Sequence, residues 1–75
     1  MEYWSPAYNW TYQQYRDCIN RVFADPNRQG VSLDVEHSDR RNMDDIIQWA
    51  TADGYDTEER AGGDIIRITR KDVTA

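Results

Sequence analysis

The stretch Val31-Ser32-Leu33-Asp34-Val35-Glu36-His37-Ser38-Asp39-Arg40-Arg41-Asn42-Met43-Asp44-Asp45-Ile46-Ile47-Gln48-Trp49-Ala50 changes its hydrophobic period midway, and that change decides the fold class. Residues 31–36 alternate apolar and polar, the two-residue period of a strand with one face in a core. Val31, Leu33 and Val35 are the inward set. Residues 37–41 read as a polar connection. Beyond them Met43, Ile46, Ile47 and Ala50 recur at three and four, the stripe of an amphipathic helix. Asn42-x-x-Asp45 is the N-cap candidate, and Asp44 and Asp45 would then sit in the first turn, where carboxylates suit the positive end of the helix dipole. Asp53-Gly54 stops the helix, with glycine free to take the left-handed conformation just past its end.

Upstream, Thr11-x-x-Gln14 has the spacing of a capping box, in which hydroxyl and amide each meet an orphan backbone N–H. Tyr12, Tyr15, Ile19, Val22 and Phe23 follow as one helical stripe, and Asp17 and Arg21 are spaced to pair at i,i+4 on the outer side. Asp25-Pro26 ends this helix, because the residue before proline disfavours helical geometry, and residues 27–30 form a turn. Downstream, 55–60 and 64–70 flank Ala61-Gly62-Gly63 as a β-hairpin, with Ile66 and Ile68 alternating with Arg67 and Thr69. Residues 1–10 are an aromatic extended segment. Pro6 restricts it to an edge strand or an irregular arm. Residues 71–75 read as a frayed tail. The expectation is one domain, 1–75, in the order (β)αβαββ: a two-layer α+β sandwich with two helices on one face of a small mixed sheet.

Seventy-five residues leave little room for a deep active site beside a core. No apolar run approaches the roughly 18 residues of a membrane span, and no secretory signal pattern is present, so the expected location is cytoplasmic. The single cysteine, Cys18, excludes a disulfide framework and a multi-cysteine zinc site. Nine Lys and Arg against 14 Asp and Glu oppose direct nucleic-acid binding, which needs a basic footprint. The net charge of −5 is uneven: residues 1–33 balance to zero, residues 34–64 carry ten acids against Arg40, Arg41 and Arg60, and the tail is weakly basic. Six of the nine aromatic residues lie in the first fifteen positions.

From about Asp25 onward, several segments resemble the small sulfur-carrier family of TusA and SirA. They are the strand at 31–36, Met43-Asp44-Asp45-Ile46-Ile47-Gln48-Trp49-Ala50, Gly54-Tyr55 in place of the family's Gly-His, and Ile66-Arg67-Ile68-Thr69-Arg70-Lys71. The resemblance covers roughly 45 of the 75 residues. It implies a βαβαββ two-layer fold. The family carries sulfur on a Cys-Pro-x-Pro cysteine at the start of the first helix, where the dipole lowers a thiol pKa. Here the corresponding stretch from Ser5-Pro6 to Thr11 holds no cysteine, so no family catalytic residue transfers. A divergent sulfur carrier would have to use Cys18, in the second turn.

Cys18 borders the apolar stripe, where a free cysteine packs as a small hydrophobe. Glu36-His37-Ser38-Asp39 gathers an imidazole and two carboxylates but no second histidine or cysteine, short of a metal's ligand set. General acid–base work by His37 with Asp39 would need a pocket around them. Gly62-Gly63 precedes a strand rather than a helix and is a hairpin turn, not a phosphate loop. Tyr3, Trp4, Tyr8 and Trp10 are a heavy load for a terminal segment. They either cover an under-cored domain or present an interaction patch. The acidic middle is either a solvated surface or a field that attracts a basic partner. The expected function is a non-enzymatic, cofactor-free protein-interaction module. Its contacts would be Tyr3, Trp4 and Trp10 as anchors with Asp34, Glu36, Asp44, Asp45 and Glu58 as charges. The expected partner is a protein with a basic surface, such as a nucleic-acid-handling complex inhibited in the manner of phage anti-defence proteins. Alternatives are the sulfur carrier and a structural subunit or homodimer joined through the aromatic arm or a strand edge.

Overall fold

A computed structural model of the chain describes residues 2–71. The expected tail, 71–75, lies outside the described residues except for Lys71. The elements run β1 (Glu2–Pro6), α1 (Tyr12–Phe23), β2 (Gly30–Asp34), α2 (Arg40–Ala52), β3 (Tyr55–Arg60), a 3-10 turn (Ala61–Gly63) and β4 (Ile65–Arg70). The strands form one mixed sheet in the order β1-β2-β4-β3. β1 runs parallel to β2, and β4 is antiparallel to both β2 and β3. The fold is the expected α+β sandwich, and within the aromatic segment Glu2–Pro6 form an edge strand rather than an irregular arm.

The core lies between the helices and one face of the sheet. Tyr15, Ile19, Val22 and Phe23 of α1 and Met43, Ile46 and Ala50 of α2 close over Val31, Leu33, Val35, Ile66 and Ile68. The two-residue alternation leaves Trp4, Ser32, Arg67 and Glu58 as a row on the opposite, open face.

The capping box of α1 is present: Gln14 N–H donates to Thr11 Oγ1 at 3.2 Å, and Thr11 N–H donates to Gln14 Oε1 at 2.8 Å. The expected Asp17–Arg21 pair does not form, and Asp17 instead accepts the Gln13 side-chain amide at 2.8 Å. At the far end, Arg70 of β4 closes the helix. Its guanidinium donates to the carbonyls of Phe23 (2.7 Å), Asp25 (3.0 Å) and Arg28 (2.8 Å), and stacks over the Phe23 ring at 4.9 Å. A cation there answers both the orphan carbonyls and the negative end of the dipole.

α2 begins three residues earlier than its hydrophobic stripe implies. Asp39, not Asn42, is the N-cap, accepting from Arg41 N–H at 2.8 Å. The extra turn is held by Arg40, which reaches Asp44 at 3.1 Å and Glu59 of β3 at 2.6 Å. Asp44 and Asp45 therefore lie beyond the first turn, which contains no acid. β2 is shorter than the expected 31–36, but Val35 stays in the core, with its N–H on the Asp64 carbonyl at 2.8 Å. Gly54 takes the left-handed conformation (φ 94°) at the exit of α2. Gly63 (φ 98°) lets Arg40 pass close by, since a Cβ there would meet its Nη1 at 3.2 Å.

Candidate interaction surface

The residues singled out in the sequence do not form one patch. Trp4, Asp34 and Glu58 share the open face of the sheet, whereas Tyr3 points to the helix side at the β1 edge. Among the described residues, Trp4, Tyr8 and Tyr3 are the large hydrophobic side chains left exposed, at 54%, 45% and 38%. Trp10 is half-buried, tilted against the Tyr15 ring at a centroid distance of 5.6 Å, and so packs against the core. Tyr8, rather than Trp10, completes the exposed set. Its exposure follows from the turn after Pro6, where Asn9 adopts φ 57° and reverses the chain.

The loop after β1 is anchored beneath these aromatics. The buried Tyr15 hydroxyl lies 2.6 Å from Ser38 Oγ and 3.1 Å from the Ala7 carbonyl. Ser38 Oγ donates to that carbonyl at 3.0 Å and accepts from Asn9 N–H at 3.0 Å. Burial pushes the Tyr15 phenol above its ordinary pKa, partly offset by the Ser38 hydrogen bond.

An acidic rim lies where β1 and β2 end. The Tyr8 hydroxyl donates to Asp34 Oδ2 at 3.1 Å, and that hydrogen bond and the charge of Asp34 raise its pKa. Glu36 follows, with His37 Nε2 at 3.6 Å. Asp64 is brought beside this loop by the Val35–Asp64 backbone bond, and Glu59 by Arg40. Both helices start near this rim, and both N-termini are already occupied by their own side chains, Thr11 with Gln14 and Asp39. The rim therefore presents negative charge and keeps no free helix N-terminus to attract an anion. Glu58 pairs with Arg60 at 2.9 Å on the open face.

Asp44 and Asp45 belong to the helix layer. Asp45 lines an open groove of about 430 Å³ between α1 and α2, with Tyr12, Gln48, Trp49 and Ala52. Arg16 of α1 places its guanidinium 5.0 Å from the centroid of the Trp49 ring and 5.6 Å from that of the Tyr12 ring. Its buried Nε has no hydrogen-bond partner, so the π faces take the place of an acceptor.

Cys18 is half-buried on the outer side of α1, facing β1. Burial raises its pKa and nearby Arg21 lowers it in part. That shift runs opposite to the lowered pKa of an activated thiol. His37, at φ 83°, stacks obliquely near Tyr8 at 6.1 Å. Among the described residues no three His, Cys, Asp or Glu side chains converge as a metal site. No helix among them is long and apolar enough to cross a membrane.

The hydrogen-bond register also defines the two open edges of the sheet. Ala7 N–H donates to the Asp34 carbonyl at 2.8 Å, so Tyr3, Ser5 and Ala7 turn their backbone groups toward β2. Those of Glu2, Trp4 and Pro6 turn outward. Pro6 thus has its missing N–H on the solvent side, where an edge strand tolerates proline. At the other edge, Arg70 N–H donates to the Gln29 carbonyl, so β4 turns residues 65, 67 and 69 toward β3. Tyr55, Thr57 and Glu59 are then the outward groups of β3. Comparison with known protein families, with curated proteins and with solved structures found no match for this chain.

Proposed function

We propose that this chain is a non-enzymatic protein-interaction module that binds and blocks a partner with a basic surface, of the kind carried by nucleic-acid-handling complexes. The observation that carries the reading is the junction at the end of β1. There the exposed Tyr8 is hydrogen-bonded to Asp34, with Trp4 on one side and the acidic rim on the other. Tyr8, an aromatic anchor beside like-signed charge, gives both contact area and electrostatic steering. Immobilised chain should retain its partner from a host lysate at low salt and release it as salt screens the rim. Asp34→Asn with Glu36→Gln should weaken retention, and so should Tyr8→Ala. Retention unaffected by salt and by these changes, or no retained partner, would overturn the reading.

A further inference from the structure

The β1 edge joins three features. Among the described residues, its outward backbone groups at Glu2, Trp4 and Pro6 have no strand beside them. Trp4, the middle residue of the strand, is more than half exposed. Between β1 and α1 lies a groove, with one lobe of about 250 Å³ and another of about 380 Å³, and Tyr3, Cys18 and Arg21 border both. An edge of this kind is a template for an added strand.

Charge selects the strand. The β1–α1 side is built from residues within 2–33, whose three acids and three arginines cancel. It is the side on which two copies of this acidic chain can meet without the repulsion that residues 34–64 impose elsewhere. The edge is also self-complementary. In an antiparallel pair about a two-fold axis at Trp4, each Trp4 N–H meets the other copy's Trp4 carbonyl. Each Glu2 N–H meets the other copy's Pro6 carbonyl. The donor that proline lacks falls at the end of this short ladder, opposite a Glu2 carbonyl that water can serve. The two Trp4 side chains lie side by side on the open face. On the helix face each Tyr3 lies opposite the other copy's Ser5, and the two grooves merge.

We propose that a second copy of this chain adds its β1 antiparallel to this β1, centred on Trp4, to form a two-fold dimer with one continuous eight-stranded sheet. The proposal rests on the interaction-module reading and names the occupant of its aromatic edge, leaving Tyr8 and the acidic rim to the basic partner. Size-exclusion chromatography with light scattering on the full chain at micromolar concentration should give twice the chain mass of 8.9 kDa. Trp4→Glu and Trp4→Lys each place like charges opposite one another at the axis. Each should weaken association about tenfold or more, while circular dichroism stays that of the parent. An equimolar mixture of the two variants should recover the dimer as a heterodimer. A monomeric parent chain, variants that dimerise as tightly as the parent, or a mixture no better than either variant would overturn the proposal. A monomer that still captures a basic partner overturns the dimer alone, whereas a dimer that captures nothing overturns the functional reading alone.

Discussion

β1 and β3 occupy opposite edges of the same sheet, yet β1 presents Tyr3 and Trp4 while β3 reads Tyr-Asp-Thr-Glu-Glu-Arg. Any strand laid along β3 would come up against Asp56, Glu58 and Glu59, an edge defended by charge. β1 relies on its short length and on Pro6. The difference follows the split in the sequence between a neutral, aromatic front and an acidic middle. The same −7 block that would steer a basic partner also disfavours pairing at the β3 edge, leaving β1 as the edge for the proposed dimer.

The largest effect on this contrast is expected at Arg70, because it ties the end of α1, and with it the wall of the β1 groove, to a central strand. Arg70→Ala should cost about 2 kcal/mol in urea denaturation, the scale of hydrogen bonds from a charged donor. Arg70→Lys should recover little, since one ammonium cannot reach three carbonyls in the geometry of a planar fork.

A smaller effect is expected at Tyr15, which anchors the exit of β1. Tyr15→Phe should cost about 1 kcal/mol and speed hydrogen exchange at Ser5 and Ala7 while leaving the amides of β3 unchanged. Equal acceleration at both edges would show that they are not separately anchored. Tyr15 and Cys18 both have raised pKa values in the fold, from ordinary values of 10.0 and 9.0. Their neutral forms are favoured, so this part of the stability is complete below about pH 9 and is lost as pH rises through the folded values. The urea midpoint should hold up to about pH 9 and fall above it, with a shallower fall in Tyr15→Phe.

The smallest change in stability is expected at β3 itself. Asp56→Thr and Glu58→Thr together should alter stability by about 0.5 kcal/mol or less per site, since both are exposed. Light scattering should nevertheless detect species larger than two chains, as the undefended edge begins to pair.

Both helices, the capping box, β2 and the hairpin were legible because each follows from residues within a few positions of one another. The α2 start was not. Its extra turn depends on Arg40 reaching Glu59, a contact that exists only once the hairpin has folded back. Arg70 read as part of a basic tail, although it joins positions 42–47 residues apart. Tyr15 read as ordinary core, and its stripe position could not reveal a hydroxyl aimed at Ser38. The acids were visible one by one. Their division between the open sheet face, the rim and the helix layer required the strand order, because β4 inserts between β2 and β3.

Pro6 has one further consequence, for the size an assembly can reach. A sheet grows into a filament when the edge it offers differs from the edge it accepts, so that every addition exposes a fresh site. In the proposed dimer the aromatic edge meets its own copy, and the outer rims of the pair are both β3, where acid would face acid. With a proline shortening the seam and charge closing both ends, that pairing would stop at two.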